Sequence, residues 1–340
     1  MRASLDDILV AAQRWIEAGR GVAIATVVET WGSAPRPVGS HLVIDSAGDF
    51  LGSVSGGCVE GDVVTQALET IATGRGQMLE FGVADETAFR AGLSCGGRIR
   101  IDVRPLDPGI LEALNVERAA RRPCAIVTGL GSGAQRLVRA ADLAADPLAK
   151  QLDERLRRRE SGVEETEGGA FFLTVYAPPL RLIAIGAVHI AQALAPIATL
   201  AGYETIIIDP RTAFATVERF PGARLIAEWP ATALAELGLD SAAAIVLLTH
   251  DPRIDDEALI AALREKCFYI GALGSRKTHA RRVERMRAEG FGEAELGRIH
   301  APIGLDIGAT SPAEIAVAIL AEIIDSLHRG SRAARSGRAA

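Results

Sequence analysis

The chain of 340 residues has little of what marks several large protein classes. It has only four cysteines, Cys58, Cys95, Cys124 and Cys267, and they form neither a paired Cys-x-x-Cys zinc pattern nor a disulfide framework. Reduced thiols in a cytoplasmic protein are therefore expected. No apolar run approaches the ~20 residues that cross a bilayer, and the opening Met1-Arg2-Ala3-Ser4-Leu5-Asp6-Asp7 lacks the basic-then-apolar order of a signal peptide. There is no excess of positive charge: 37 Lys and Arg stand against 43 Asp and Glu. A net charge of −6 excludes a general nucleic-acid binder, which needs a basic footprint to displace counterions. Aromatic residues are scarce at 4%, and no internal repeat is visible.

What is present is glycine, 35 residues of it, in a chain that is 49% apolar. That mixture suits α/β folds with close helix-to-sheet packing and glycine-rich ligand loops. The length exceeds what one core usually supports and predicts two domains. Leu5, Ile8, Leu9, Ala12, Trp15 and Ile16 recur at helical spacing before Gly19. Residues 22–30 and 41–44 read as strands around a Gly/Pro loop, Trp31-Gly32-Ser33-Ala34-Pro35-Arg36-Pro37-Val38-Gly39. Residues 52–55, Gly56-Gly57-Cys58 and 59–72 read as strand, tight turn and helix; residues 99–103 are a further strand.

A charged stretch, 146–169, and the apolar run 171–176 precede Ala177-Pro178-Pro179, which marks the domain boundary. The N-terminal α/β domain is thus expected over 1–178, a C-terminal Rossmann-like domain with a doubly wound parallel sheet over 179–328, and a disordered tail over 329–340. In the second domain, strands at 182–185, 205–208, 244–248 and 268–270 alternate with helical patterns, as βαβ crossovers require. Ser311-Pro312-Ala313-Glu314 carries an N-cap, a first-turn proline and a capping-box acid ahead of a last helix reaching Leu327.

The candidate chemistry lies in five short segments. Gly186-Ala187-Val188-His189 follows a strand and opens a helix, with Asp209 at the end of the next strand. Context fits a dinucleotide fingerprint, but Val188 stands where a second glycine lets backbone approach a pyrophosphate. Asp209 then either binds a ribose or only caps a turn. His189 and His250, the latter in Thr249-His250-Asp251-Pro252, fall at the carboxyl edge of the sheet, where doubly wound folds bind ligands. Gly271-Ala272-Leu273-Gly274-Ser275-Arg276-Lys277 combines a loop, a helix start and cations, the elements of an anion site; a solvated basic face is the plainer reading. Ser55-Gly56-Gly57-Cys58-Val59-Glu60 sets a thiol at a helix N-terminus, where partial positive charge favours thiolate, and Leu93-Ser94-Cys95-Gly96-Gly97 sets another in a matching loop. Paired glycines let a bulky group approach sulfur, whereas Cys124 and Cys267 sit beside strands as core filler.

Taken together these motifs resemble the XdhC/CoxI family of molybdoenzyme accessory proteins. The resemblance runs from Leu5 to Leu327 and includes Leu248-Thr249-His250-Asp251-Pro252, Tyr269-Ile270-Gly271-Ala272-Leu273-Gly274-Ser275-Arg276 and His300-Ala301-Pro302-Ile303-Gly304-Leu305-Asp306-Ile307-Gly308. It implies a non-enzymatic chaperone that binds molybdenum cofactor, as molybdopterin or its dinucleotide form, protects it and delivers it to an apo-molybdenum hydroxylase of the xanthine dehydrogenase, CO dehydrogenase or aldehyde oxidoreductase type. A cysteine desulfurase, a cofactor-synthesis nucleotidyltransferase and a second copy of the chain are the further partners implied. On that reading Cys58 and Cys95, with Gly56, Gly57, Gly96 and Gly97, approach the metal or its sulfur. Gly271, Gly274, Ser275, Arg276 and Lys277 hold the anionic tail, with His189 and His250 beside them, and a cleft between the domains excludes water. Many relatives have glycine at the place of Val188, a departure that weighs against NAD(P) binding and not against the chaperone role. The rival readings are an NAD(P)-dependent oxidoreductase using His189 or His250 as general acid, and a redox-sensing protein using Cys58 and Cys95.

Overall fold

The strands read in the first half become antiparallel sheet in the computed structural model, which describes residues 5–32, 36–82 and 97–336. The chain divides into two compact units, Met1–Pro178 and Pro179–Ala340.

The first unit contains α1 (Leu5–Glu17), β1 (Val22–Trp31), β2 (His41–Asp45), β3 (Phe50–Gly52), α2 (Glu60–Thr73), β4 (Gln77–Phe81) and β5 (Arg98–Pro105). Then come α3 (Pro108–Ala119), β6 (Cys124–Gly129), β7 (Gln135–Arg139), α4 (Ala149–Arg158), β8 (Gly162–Thr166) and β9 (Gly169–Tyr176). Two antiparallel sheets result, ordered β3-β2-β1-β5-β4 and β7-β6-β9-β8. Successive side chains of β1 face opposite ways. Ala23, Ala25 and Val27 pack with Val59, Val63 and Ala67 of the α2 region, while Val22 and Ile24 pack with Leu9 of α1, Leu111 and Leu114 of α3 and Ile126 of β6. Both faces of this strand are therefore covered. The expected α/β content is present, but every described strand pair in this unit is antiparallel.

The second unit runs β10 (Arg181–Ile185), α5 (His189–Leu200), β11 (Glu204–Ile208), β12 (Arg224–Ile226), α6 (Pro230–Leu237), β13 (Ala243–Leu247), α7 (Pro252–Arg264), β14 (Tyr269–Ala272), α8 (Arg276–Ala288), α9 (Glu293–Leu296), β15 (Ile299–His300) and α10 (Pro312–Ser336). Its six-stranded sheet is parallel throughout, in the order β12-β11-β10-β13-β14-β15. This is the doubly wound 3-2-1-4-5-6 order, with the switch point between β10 and β13. Helices α5 and α10 cover one face and α6, α7 and α8 the other, so β10 and β13 are buried over their whole lengths and, apart from Arg181 at the start of β10, read as apolar runs.

Helix α10 opens as its capping box predicts: the Glu314 amide donates to Ser311 Oγ at 3.2 Å and the Ser311 amide to the Glu314 carboxylate at 2.9 Å. The disordered tail expected from residue 329 is a correction, because α10 continues to Ser336. Arginine and alanine are strong helix formers and extend a helix already nucleated by its packed first half. No helix among the described residues is long and apolar enough to cross a membrane.

Candidate functional site

In the first unit, the loop bearing Cys58 is organised by a residue two positions beyond it. Glu60, at the start of α2, turns its carboxylate back into the loop. Oε1 accepts the Ser53 hydroxyl at 2.7 Å and the amides of Val54, Ser55 and Gly56 at 3.1, 2.9 and 3.1 Å. Oε2 accepts the Ser55 hydroxyl and the amides of Gly57 and Val59 at 2.9 and 3.2 Å. Hydrogen bonds to the ionised form hold this carboxyl at about 2 although burial alone would push it up. The electropositive end of α2, read from sequence as an influence on the thiol, is thus answered by the chain's own carboxylate.

Ser55 Oγ also takes the amides of Cys58 and Val59, each at 3.0 Å, which fixes where the cysteine leaves the turn. Gly57 has φ 117°, a conformation only glycine adopts readily, and open space lies where a side chain would stand. Gly56 and Gly57 are exposed and Cys58 is half-buried, leaving a bare backbone surface beside the thiol. Gly97 is buried at the entry to β5; Cys95 and Gly96 lie outside the described residues. Cys124 and Cys267 are buried in apolar clusters, and burial pushes both thiols up to about 11, as core positions should.

The second unit gathers the other candidates at the carboxyl edge of its sheet. His189 opens α5 and His250 follows β13 with φ 62°; both are exposed. Gly186 lies against Thr249, where an added methyl would come within 2.6 Å of Cγ2. Asp209 is fully buried and spoken for: it accepts the Ala187 amide at 2.8 Å, the Arg211 amide at 2.9 Å and the Arg211 guanidinium at 2.9 and 2.7 Å. A carboxylate so engaged braces the first turn of the fold and has little left for a ribose. Val188 caps α5 without a side-chain hydrogen bond, at the position where a dinucleotide fingerprint has its second glycine.

Gly271 belongs to packing, since a side chain there would strike Ile303 and Tyr269 within 2.7 Å. Gly274 makes the turn into α8 at φ 131°, and Ser275 caps that helix by accepting the Thr278 amide at 3.3 Å. Arg276 and Lys277 are exposed in its first turn, whose amides have no acceptors within the helix. Not all of the basic face is available: Arg285 closes on Asp256 with bonds of 2.5 and 2.9 Å, and Arg287 on Glu293 at 2.7 Å.

Three polar centres escaped the sequence reading. Glu322 of α10 accepts Tyr269 OH at 2.5 Å and the Gly304 amide at 2.7 Å, and meets His300 Nδ1 at 3.1 Å. In the first unit His41 is buried with Nδ1 3.0 Å from Thr26 Oγ1 and Nε2 3.4 Å from Tyr176 OH, at the wall of an enclosed cavity of about 30 Å³. Burial pushes His41 down to about 4, so its ring is neutral. The third centre is Asp255 with Arg282, both buried although each lies in a charged stretch. Arg282 did leave a signal: it stands four residues before buried Met286, on the inner face of α8.

Known proteins share both halves of this architecture. The XdhC and CoxI family description matches residues 15–82 and the XdhC Rossmann domain matches residues 182–323. The molybdenum cofactor insertion chaperone PaoD of Escherichia coli (strain K12) is 31% identical over 316 residues, covering 93% of this chain and 86% of PaoD. A probable xanthine dehydrogenase subunit of Bacillus subtilis (strain 168) is 29% identical over 318 residues, covering 90% of this chain and 93% of that protein. A crystal structure described as a xanthine dehydrogenase from Bacillus halodurans shares the fold, with a TM-score of 0.61 at 23% identity over 94% of this chain and 96% of that one.

Proposed function

The chain belongs to the XdhC and CoxI family, and from that premise we propose that it is a molybdenum cofactor chaperone, which holds the cofactor as cargo, protects it and hands it to an apo-molybdenum hydroxylase. The observation that carries this reading is the similarity to PaoD, which extends through both units and not through the Rossmann-like unit alone. The cargo is a pterin with sulfur ligands near its metal and an anionic phosphate or nucleotide tail. Cys58, presented beside the bare backbone of Gly56 and Gly57, has the surroundings a bulky sulfur-ligated group needs. In this proposal Cys95, with Gly96 and Gly97, supplies a second thiol. Gly274, Ser275, Arg276 and Lys277 meet the tail at the ligand edge of the parallel sheet, with His189 and His250 on the same edge. A cysteine desulfurase, a nucleotidyltransferase, a second copy of the chain and a cytoplasmic setting belong to the same proposal. The engaged Asp209 and the side chain of Val188 speak against NAD(P) as the bound group.

The protein's part is binding and shielding, without turnover. Purification from a host that makes the cofactor, followed by molybdenum and pterin assays, is expected to show both retained with the protein. Absence of both, together with tight NAD(H) binding and hydride transfer, would replace the chaperone with an oxidoreductase.

A further inference from the structure

Helices α7 and α8 carry two acid–arginine pairs whose geometries differ. Asp256 and Arg285 are closed, with two bonds between guanidinium and carboxylate. Asp255 and Arg282, deeper between the same helices, are open: the nearest approach is 3.9 Å, with side chains only 2% and 3% exposed. Arg282 Nη2 donates to Leu273 O at 3.0 Å, which holds the guanidinium beneath the turn that leads through Gly274 into α8. Among the described residues its Nε and Nη1 have no hydrogen-bond partner, and neither does Asp255 Oδ2. Asp255 Oδ1 is held by the Thr249 hydroxyl at 2.7 Å, in the loop after β13. The Nδ1 of His279, one helical turn from Arg282, is also buried and unmatched.

Buried donors and acceptors are almost always satisfied, and those left over mark a functional demand or a group that completes them. A simple structural ion pair does not explain this one, because the neighbouring pair shows that these helices allow closure. Arg282 and Asp255 are instead pulled toward two different loops at the ligand edge of the sheet.

We propose that Arg282 and Asp255 form the inner wall of a phosphate-binding site whose outer wall is the turn at Gly274 and Ser275 and the first turn of α8. The ligand class is a phosphate monoester or its equivalent at the end of a nucleotide or pterin tail. The planar fork of a guanidinium matches two phosphate oxygens, and the first-turn amides with Arg276 and Lys277 meet the remainder. Burial raises the Asp255 carboxyl above its ordinary value, against the opposing pull of the Thr249 hydroxyl and Arg282. The identity of the tail rests on the chaperone reading; the phosphate site itself does not.

The test is calorimetric and thermal-shift titration of the full chain with inorganic phosphate, against sodium chloride at matched ionic strength. The wild-type Tm is expected to rise with phosphate beyond the chloride control, Arg282→Gln to weaken phosphate binding by at least about tenfold, and Lys277→Ala by about threefold. Arg282→Lys keeps the positive charge of the inner wall without its planar fork and is expected to weaken binding severalfold, so it reports on the site even if Arg282→Gln fails to fold. No phosphate-specific shift in the wild type, or wild-type affinity in Arg282→Lys and folded Arg282→Gln, overturns the proposal. A phosphate response in a protein that retains neither molybdenum nor pterin would retire the cargo reading and leave this site standing.

Discussion

Arg211 lies along the carboxylate of Asp209, Nε to Oδ1 at 2.9 Å and Nη2 to Oδ2 at 2.7 Å, while Oδ2 also receives the amide of Ala187 at 2.8 Å. The acid that would otherwise select a ribose is thereby a brace between the first two strands of the Rossmann-like sheet. Val188→Gly is expected to improve NAD binding, because it removes the branched side chain, but by no more than about tenfold while Asp209 stays engaged. Calorimetry with NAD measures this, and a submicromolar Kd in the single variant would contradict it. Arg211→Ala should cost about 1–3 kcal/mol, less than a fully buried pair because Arg211 is 38% exposed.

Glu60→Gln should loosen the loop around Cys58, since a neutral amide cannot match so many converging donors. Alkylation mapped by mass spectrometry is expected to speed up severalfold at Cys58, with Cys124 and Cys267 still protected in their apolar clusters. Equal acceleration at all three would mean global unfolding instead. The carboxyl is held at about 2, below its ordinary 4.5, so its stabilisation is complete above pH 4.5 and disappears as pH falls toward 2. The loss in that window should be on the order of 3 kcal/mol in the wild type and absent from Glu60→Gln, as acid-dependent denaturant curves would show.

His41 titrates in a different window. Its folded value of about 4 lies below the ordinary 6.5, so the unfolded chain binds the proton first and stability falls as pH drops from 6.5 to 4. The expected loss is on the order of 3 kcal/mol. His41→Gln should flatten the curve there without touching the Glu60 window, and an unchanged curve in that variant would assign the slope to another group.

The thiols should separate by burial. Cys124→Ser and Cys267→Ser each put a hydroxyl into an apolar cluster and should cost about 1–3 kcal/mol. Cys58→Ser should barely move Tm yet reduce the molybdenum and pterin retained after purification. Normal retention in a Cys58/Cys95 double variant would remove the thiols from the proposed site and leave the Gly274–Lys277 segment to carry it.

The parallel sheet was legible because strands covered on both faces, such as β13 and β10 beyond its first residue Arg181, are apolar in unbroken runs. Pro178 and Pro179 sat where the two units part. The antiparallel half was harder: β6 finds its partner β9 some forty residues away, and no local periodicity records that choice. Glu60 was visible only as a first-turn acid, although the serines and glycines preceding it were the signal for a loop able to wrap a carboxylate. Arg282 stands among Arg281 and Arg285 and reads as solvated surface unless its four-residue spacing from Met286 is used to place it on the inner face of α8.

The clamp on Glu322 has a consequence for the order of events on the ribosome. Tyr269, His300 and Gly304 all look to one carboxylate midway along α10, and Ala316, Ile319 and Ile323 of that helix close the same face of the sheet. All six strands precede α10 in the chain, and α5 covers only part of this face. During translation the part of the face that α10 covers therefore stays open until that helix emerges, so its closure follows synthesis of the whole sheet and does not proceed strand by strand.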